Sequence, residues 1–139
     1  MWTREYSKFY PDISPKEIWK IWIDINNWPS WHGDLDYCKL DGDFVVGGHF
    51  MLKPKGISAV KVVLTEINEG KNFTDCTSFF GAKMYDTHAV EAKDNGIILS
   101  NKLVVIGPLK YLWVKLVANH VANSVPDEID ALVKLAKKG

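Results

Sequence analysis

Asp86 and His88 stand two residues apart in a segment, 83–93, whose side chains alternate in character. On an extended strand that spacing puts both side chains on one face, close enough to meet. An imidazole oriented by a carboxylate is the pair that general acid–base chemistry uses, so His88 is the candidate acid/base and Asp86 its orienter. The competing reading is that the two satisfy each other, or hold a water, in a partly polar interior. No serine or cysteine is placed by the sequence as a nucleophile beside them, which leaves triad chemistry without support. His32, His49, His88 and His120 are scattered, with no HxH or HExxH spacing, and His32 with Asp34 and Asp36 reads as a solvated loop. Neither a metal nor another cofactor is expected.

Lysines show which strand faces look inward, because burying an ammonium head is costly. In 83–93, Lys83, Glu91 and Lys93 share one parity, leaving Met84, Asp86, His88, Val90 and Ala92 inside. Outward Lys102 leaves Ile97, Leu99, Asn101, Leu103 and Val105 inside in 97–106, and outward Lys61 leaves Val60, Val62, Leu64 and Glu66 inside in 59–67. In 48–53, His49 and Lys53 look out while Phe50 and Leu52 look in. Segments 34–40 and 72–80 are not resolved this way, and Thr77 and Phe79 are assigned inward there without a marker. The inner polar set is Asp86, His88 and Asn101, with Glu66 as a further candidate.

The elements that position these residues are legible from turn and cap signals. Ser14, Pro15 and Glu17 form the N-cap, first-position proline and capping-box acid of a helix, with Ile13 and Ile18 as its hydrophobic staple. Ile18, Ile21, Trp22 and Ile25 give it an apolar face, Asn26-Asn27 and Pro29 end it, and Trp28 to Trp31 form one more short turn. Trp19 and Trp22 sit at core spacing, while Trp28 and Trp31 are candidates for a ligand entrance. Turn signals then recur at Asp41-Gly42, Gly47-Gly48, Pro54-Lys55-Gly56, Asn68-Glu69-Gly70, Gly81 and Asp94-Asn95-Gly96. Connections this short cannot make parallel crossovers, so the segments form an antiparallel meander, with residues 3–10 as a further strand. After Gly107-Pro108, Leu109, Leu112, Trp113, Leu116, Val117 and Val121 repeat at helical spacing. A second set, Ile129, Leu132, Val133 and Ala136, points nearly the opposite way, and with Pro126 it predicts a kink or break between Asn123 and Asp127.

Composition bounds the function. A chain of 139 residues suits one domain, 1–139, and 47% hydrophobic with 24% charged residues excludes a disordered chain. Lys+Arg and Asp+Glu are both 17, which leaves no basic excess to hold a phosphate backbone, so no nucleic-acid partner is expected. The N-terminus is charged where a signal peptide is apolar, and no apolar run suggests a membrane span. Cys38 and Cys76 form no CxxC pair and read as reduced core residues, which fits a cytoplasmic protein without integral membrane association.

The run Ile13-Ser14-Pro15-Lys16-Glu17-Ile18-Trp19, followed by Asp24 and Asn27-Trp28-Pro29-Ser30-Trp31, resembles the opening of the START-like (SRPBCC) superfamily, in particular its polyketide cyclase/dehydrase-like branch. Gly47-Gly48-His49-Phe50 resembles its glycine-led third strand. His88, Gly96 and Gly107-Pro108-Leu109 resemble its last hairpin and helix entry. The resemblance covers essentially the whole chain. It implies an α+β helix-grip (Bet v 1/START-like) fold, a sheet of about seven antiparallel strands wrapped around a long C-terminal helix, with two short helices after the first strand.

The resemblance also implies a cavity between sheet and helix that binds a small hydrophobic molecule: a lipid, quinone, sterol or polyketide-like compound. We expect an apolar cavity of a few hundred Å³ against the first half of the helix. Its polar walls would be Asp86, His88 and Asn101, and its sheet-side apolar walls Phe50, Leu52, Thr77, Phe79 and Met84. Leu109, Leu112, Trp113 and Leu116 would close it from the helix. The alternatives are a polyketide cyclase/dehydratase-type enzyme using His88, and a protein-interaction adaptor. The ligand, the partners and the oligomeric state are open at this level.

Overall fold

The computed structural model describes residues 1–138. Strand β1 (Trp2–Pro11) leads through Asp12 into helix α1 (Pro15–Trp22) and a 3₁₀ segment, Ile25–Ser30. Six strands follow: β2 (Leu35–Asp41), β3 (His49–Pro54), β4 (Val60–Asn68), β5 (Asn72–Phe79), β6 (Ala82–Lys93) and β7 (Gly96–Ile106). All pair antiparallel in one seven-stranded sheet, in the order β1-β7-β6-β5-β4-β3-β2. The meander is therefore as expected, and β1 closes it by returning to lie beside β7.

Ser14 starts α1, but not through a capping box. Its hydroxyl bonds the Glu17 carboxylate (3.2 Å) rather than a backbone N–H, while the Glu17 N–H is taken by the Ser14 carbonyl. The apolar face of α1 delivers Ile18, Trp19 and Trp22 to the core, where they meet Phe50, Phe73, Ile97 and Leu99 from the sheet. The rings of Trp19, Trp22, Trp28 and Phe73 pack mostly edge-to-face, with centroids 5.5–6.3 Å apart. These aromatics fill most of the space between sheet and helices with solid core.

The C-terminal helix corrects the expected break. It begins as α2 (Lys110–Trp113), widens into a π-helical turn over Val114–Ala118, and continues as α3 (Asn119–Lys138) without a break at Pro126. Its buried stripe is Val114, Ala118, Ala122, Val125, Ile129, Leu132, Val133 and Ala136, one continuous row at steps of three and four. The two opposed faces arose from following the large residues. Leu112 and Leu116 are 47% and 58% exposed, and alanines occupy the contact positions instead. Small side chains let this end of the helix lie close to the sheet, so Ala118 and Ala122 pack on Met84, Leu103 and Val105 where a cavity was expected.

The helix entry is set by Gly107, whose φ of 113° suits glycine and whose missing Cβ would sit 2.5 Å from the Gly81 carbonyl. The helix start is thereby held against the β5–β6 turn. The Leu109 N–H bonds that same carbonyl at 2.9 Å, and the Trp113 indole bonds the Phe80 carbonyl at 2.7 Å.

Candidate functional site

Strand register assembles the site. Asp75 on β5 is the direct partner of Asp86 on β6, Phe73 of His88, and His88 of Asn101 on β7. Partners across an antiparallel pair share a face, so all five side chains look toward the helices. His88 Nε2 stands 3.2 Å from Asp75 Oδ2 and 3.5 Å from Asp86 Oδ1. Asn101 Nδ2 donates to Asp86 Oδ1 at 2.6 Å. The imidazole stacks on the Phe73 ring, with centroids 4.4 Å apart and planes 14° from parallel, and meets the edges of Trp22 and Trp28. Carboxylates and imidazole are all at most 17% exposed in their side chains.

Burial governs the protonation of this group. It pushes the Asp86 carboxyl well above the usual carboxylate range, with Asp75 and Glu128 adding to the effect and His88 and Asn101 opposing it. For His88, burial pulls the imidazole down, but the facing Asp86 and Asp75 carboxylates outweigh it and leave the pKa raised. The cluster therefore holds its protons tightly: His88 as imidazolium, Asp86 as a carboxyl poised to take one up.

Sequence reasoning had placed Asp86, His88 and Asn101 inside, and there they meet. Asp75 was missed because β5 lacks a lysine marker. Its parity with Thr77 and Phe79 was the available signal. Glu66 is not part of the site: a β-bulge between Leu64 and Glu66 reverses the parity of β4, so Glu66 is exposed and Ile67 turns onto the core. Phe50 and Leu52 lie in the main core, where Phe50 packs against Trp28 at 5.2 Å. Thr77, Phe79, Met84, Leu109 and Trp113 belong to the other end of the sheet, where Phe79 stacks on Trp113 at 4.5 Å. Leu112 and Leu116, expected as cavity walls, are exposed.

The helix side of the site also differs from expectation. His32 is no solvated loop residue: its Nε2 pairs with Glu128 Oε1 at 2.9 Å, both side chains less than one-fifth exposed. Glu128 is held from the other side by Ser124 Oγ at 3.0 Å. A gap of about 20 Å³ lies between Trp22, Trp31, His88 and Asn101 on one side and Val125 and Glu128 on the other. A larger opening of about 160 Å³ lies between Tyr6 of β1, Asn101 and Leu103 of β7, and Ala122, Val125 and Pro126 of α3, with Arg4 and Glu5 at its rim. Asn101 and Val125 border both spaces. The cavity is thus smaller than expected, lies at mid-helix, and has Arg4 and Glu5 among its polar walls, because aromatic rings and close helix packing fill the rest.

No protein-family model matches the chain, and no curated protein is similar to it in sequence. Solved structures are similar in shape. A START superfamily protein from Mycobacterium smegmatis superposes with a TM-score of 0.72 at 15% identity, over 98% of this chain and 97% of that one. The chain has the START-like helix-grip fold. The same fold recurs in norcoclaurine synthase from Thalictrum flavum, in complex with dopamine and hydroxybenzaldehyde, with a TM-score of 0.73, 15% identity, and 99% and 88% of the two chains covered. It recurs again in the di-domain ARO/CYC StfQ of the steffimycin biosynthetic pathway, at a TM-score of 0.79 and 8% identity, where 98% of this chain covers 50% of that one. The START-like architecture accounts for the sheet's closure by β1 and for the long helix across its inner face. No helix among the described residues is long and apolar enough to cross a membrane.

Proposed function

We propose that this START-like protein binds a small molecule with an apolar body and a hydrogen-bond-donating head. The body would lie in the opening between β1, β7 and α3, and the head would reach Asn101 and the carboxylates behind it. The observation that carries this reading is the buried polar cluster Asp75, Asp86, His88 and Asn101 on the inner face, with Asn101 forming part of the wall of the opening. Carboxylates accept, so a phenolic hydroxyl or an amine complements them. A space of about 160 Å³ matches one aromatic ring. Among lipids, quinones, sterols and polyketide-like molecules, it suits a one-ring head better than a whole sterol. Free, buried Cys38 and Cys76 are compatible with action in the cytoplasm.

A second reading is catalysis of the cyclase or dehydratase kind. It is favoured by one observation, the carboxyl of Asp86 held above its ordinary range beside an imidazolium, which is how a proton donor and acceptor are tuned to neutral pH. StfQ and norcoclaurine synthase show the fold hosting enzymes by name.

The test is a titration of the full chain with 4-methylphenol, followed by amide NMR. Binding should move the Asn101 side-chain amide and the Trp31 indole signals, and Ala122→Phe, which fills the opening, should abolish both changes while the protein stays folded. Absence of any shift in the wild type at millimolar probe, or equal shifts in Ala122→Phe, would remove the binding reading. Turnover of a polyketide-like chain that is lost in Asp86→Asn with binding retained would select catalysis.

A further inference from the structure

Asp75, Asp86 and His88 each present one ligand-type atom, and the three atoms lie within 4.8 Å of one another. Two donors held about 2.1 Å from one small ion stand roughly 3.0–3.4 Å apart at octahedral or tetrahedral angles. The His88 Nε2 distance to Asp75, 3.2 Å, falls at that spacing, and that to Asp86, 3.5 Å, lies just beyond it. One nitrogen and two carboxylate oxygens on neighbouring rigid strands make a facial set of three, and none of it was visible as a spacing motif because the ligands come from two strands. From this geometry we infer that the floor of the site is a binding site for a divalent transition-metal ion, held by Asp75, Asp86 and His88.

Three further observations point the same way. Asn101 donates to Asp86 Oδ1 from the neighbouring strand, the kind of outer contact that fixes a ligating carboxylate in orientation. Phe73 stacks on the imidazole and Trp22 and Trp28 wall it, so the ring cannot swing away and the ion would sit in a dry surround. The gap of about 20 Å³ beside His88 is water-sized and leaves a coordination position open on the side of the larger cavity. Trp31 lines that gap, and its indole Nε1 is the one buried side-chain polar atom among the described residues with no hydrogen-bond partner. A metal-bound water or a ligand oxygen in the gap would give it an acceptor.

Charge balance favours an ion here. Asp75 and Asp86 bring two carboxylates into one buried place, and a divalent ion would balance both. The mixed N,O,O donor set suits Zn²⁺, Mn²⁺, Fe²⁺ or Co²⁺ better than the all-oxygen shells of Ca²⁺ and Mg²⁺. This inference deepens the binding reading, because the same ion would give a phenol head a Lewis-acid contact, and it rests on that reading only in sharing the site.

The experiment uses the untagged full chain, stripped with chelator. Titration with Co²⁺ should produce a saturable visible absorption band at one equivalent, and Zn²⁺ calorimetry should show saturable binding of one ion per chain. His88→Gln and Asp75→Asn should each weaken Zn²⁺ binding at least tenfold, while Glu66→Gln, on the exposed part of β4, should bind as the wild type does. Should His88→Gln melt below the assay temperature, Asp75→Asn carries the test. No saturable binding to the wild type, or unchanged affinity in the folded site variants, would overturn the inference. The 4-methylphenol titration on metal-free protein separates the two readings, since its shifts persist if only the metal site is wrong and vanish if only the organic site is.

Discussion

Asp75 and Asp86 face each other as direct partners across the β5–β6 pair, both turned to the inner face, with the His88 imidazole set against both. Two acids at opposed positions in a buried sheet are tolerated because a cation stands between them. The arrangement makes His88 a base stronger than a free histidine. We expect its ring proton resonances, followed by NMR, to titrate near pH 9 rather than 6.5. Replacing either carboxylate, by Asp75→Asn or Asp86→Asn, should lower that midpoint. A midpoint that stays put in both variants would show that the carboxylates do not hold the proton.

The same shift makes stability depend on pH. His88 binds its proton more tightly in the folded chain than in the unfolded one. Its contribution is therefore complete below its ordinary pKa of 6.5 and is lost as pH rises through about 9. Asp86, also raised, acts in the same direction at lower pH. Urea midpoints measured from pH 6 to pH 10 should fall across this window, and His88→Gln should flatten the fall. A midpoint that rises with pH from 6.5 to 9 in the wild type would contradict the sign.

Tyr10 and Asp130 tie β1 to α3. The phenol donates to Asp130 Oδ1 at 2.5 Å, and Lys8 Nζ joins the same oxygen at 3.0 Å. The tyrosine hydrogen bond, then that of Lys8, holds the Asp130 carboxyl below its usual range. Tyr10→Phe should cost about 1 kcal/mol in urea unfolding and return the Asp130 titration toward its ordinary value. Lys8→Met should change the unfolding midpoint less, because that pair lies in solvent.

The helix stripe separates two substitutions that look alike in the sequence. Leu116 projects into solvent from the π-helical turn, whereas Ala118, 1% exposed, is pressed against the sheet. Leu116→Lys should leave stability within about 0.5 kcal/mol of wild type and leave 4-methylphenol binding intact. Ala118→Leu should cost about 1–3 kcal/mol by forcing the helix off the sheet. Thermal and urea unfolding of the two variants would settle the contrast, and equal effects would show that the stripe runs elsewhere.

The amino-acid sequence by itself determined the order and direction of the strands and, wherever a lysine marks the outer face, which residues look inward. Turn residues at short intervals leave no chain for a crossover, and an ammonium head in mid-sheet is costly to turn inward. That reasoning reached Asp86, His88 and Asn101. It stopped at β5, where no lysine marks a face, so Asp75 became visible only through its register opposite Asp86. It failed at Glu66, because a bulge is an event of pairing between strands and reverses parity without a fixed local signature. It failed again on the C-terminal helix, where Ala118 and Ala122 carry the contact and Leu112 and Leu116 do not. Which face of a helix is buried depends on how close its partner can come, and small side chains permit the closest approach. The volume left for a ligand, about 160 Å³, is likewise a remainder of packing. It is set by how the rings of Trp19, Trp22, Trp28 and Phe73 pack together, and only the tertiary structure decides that.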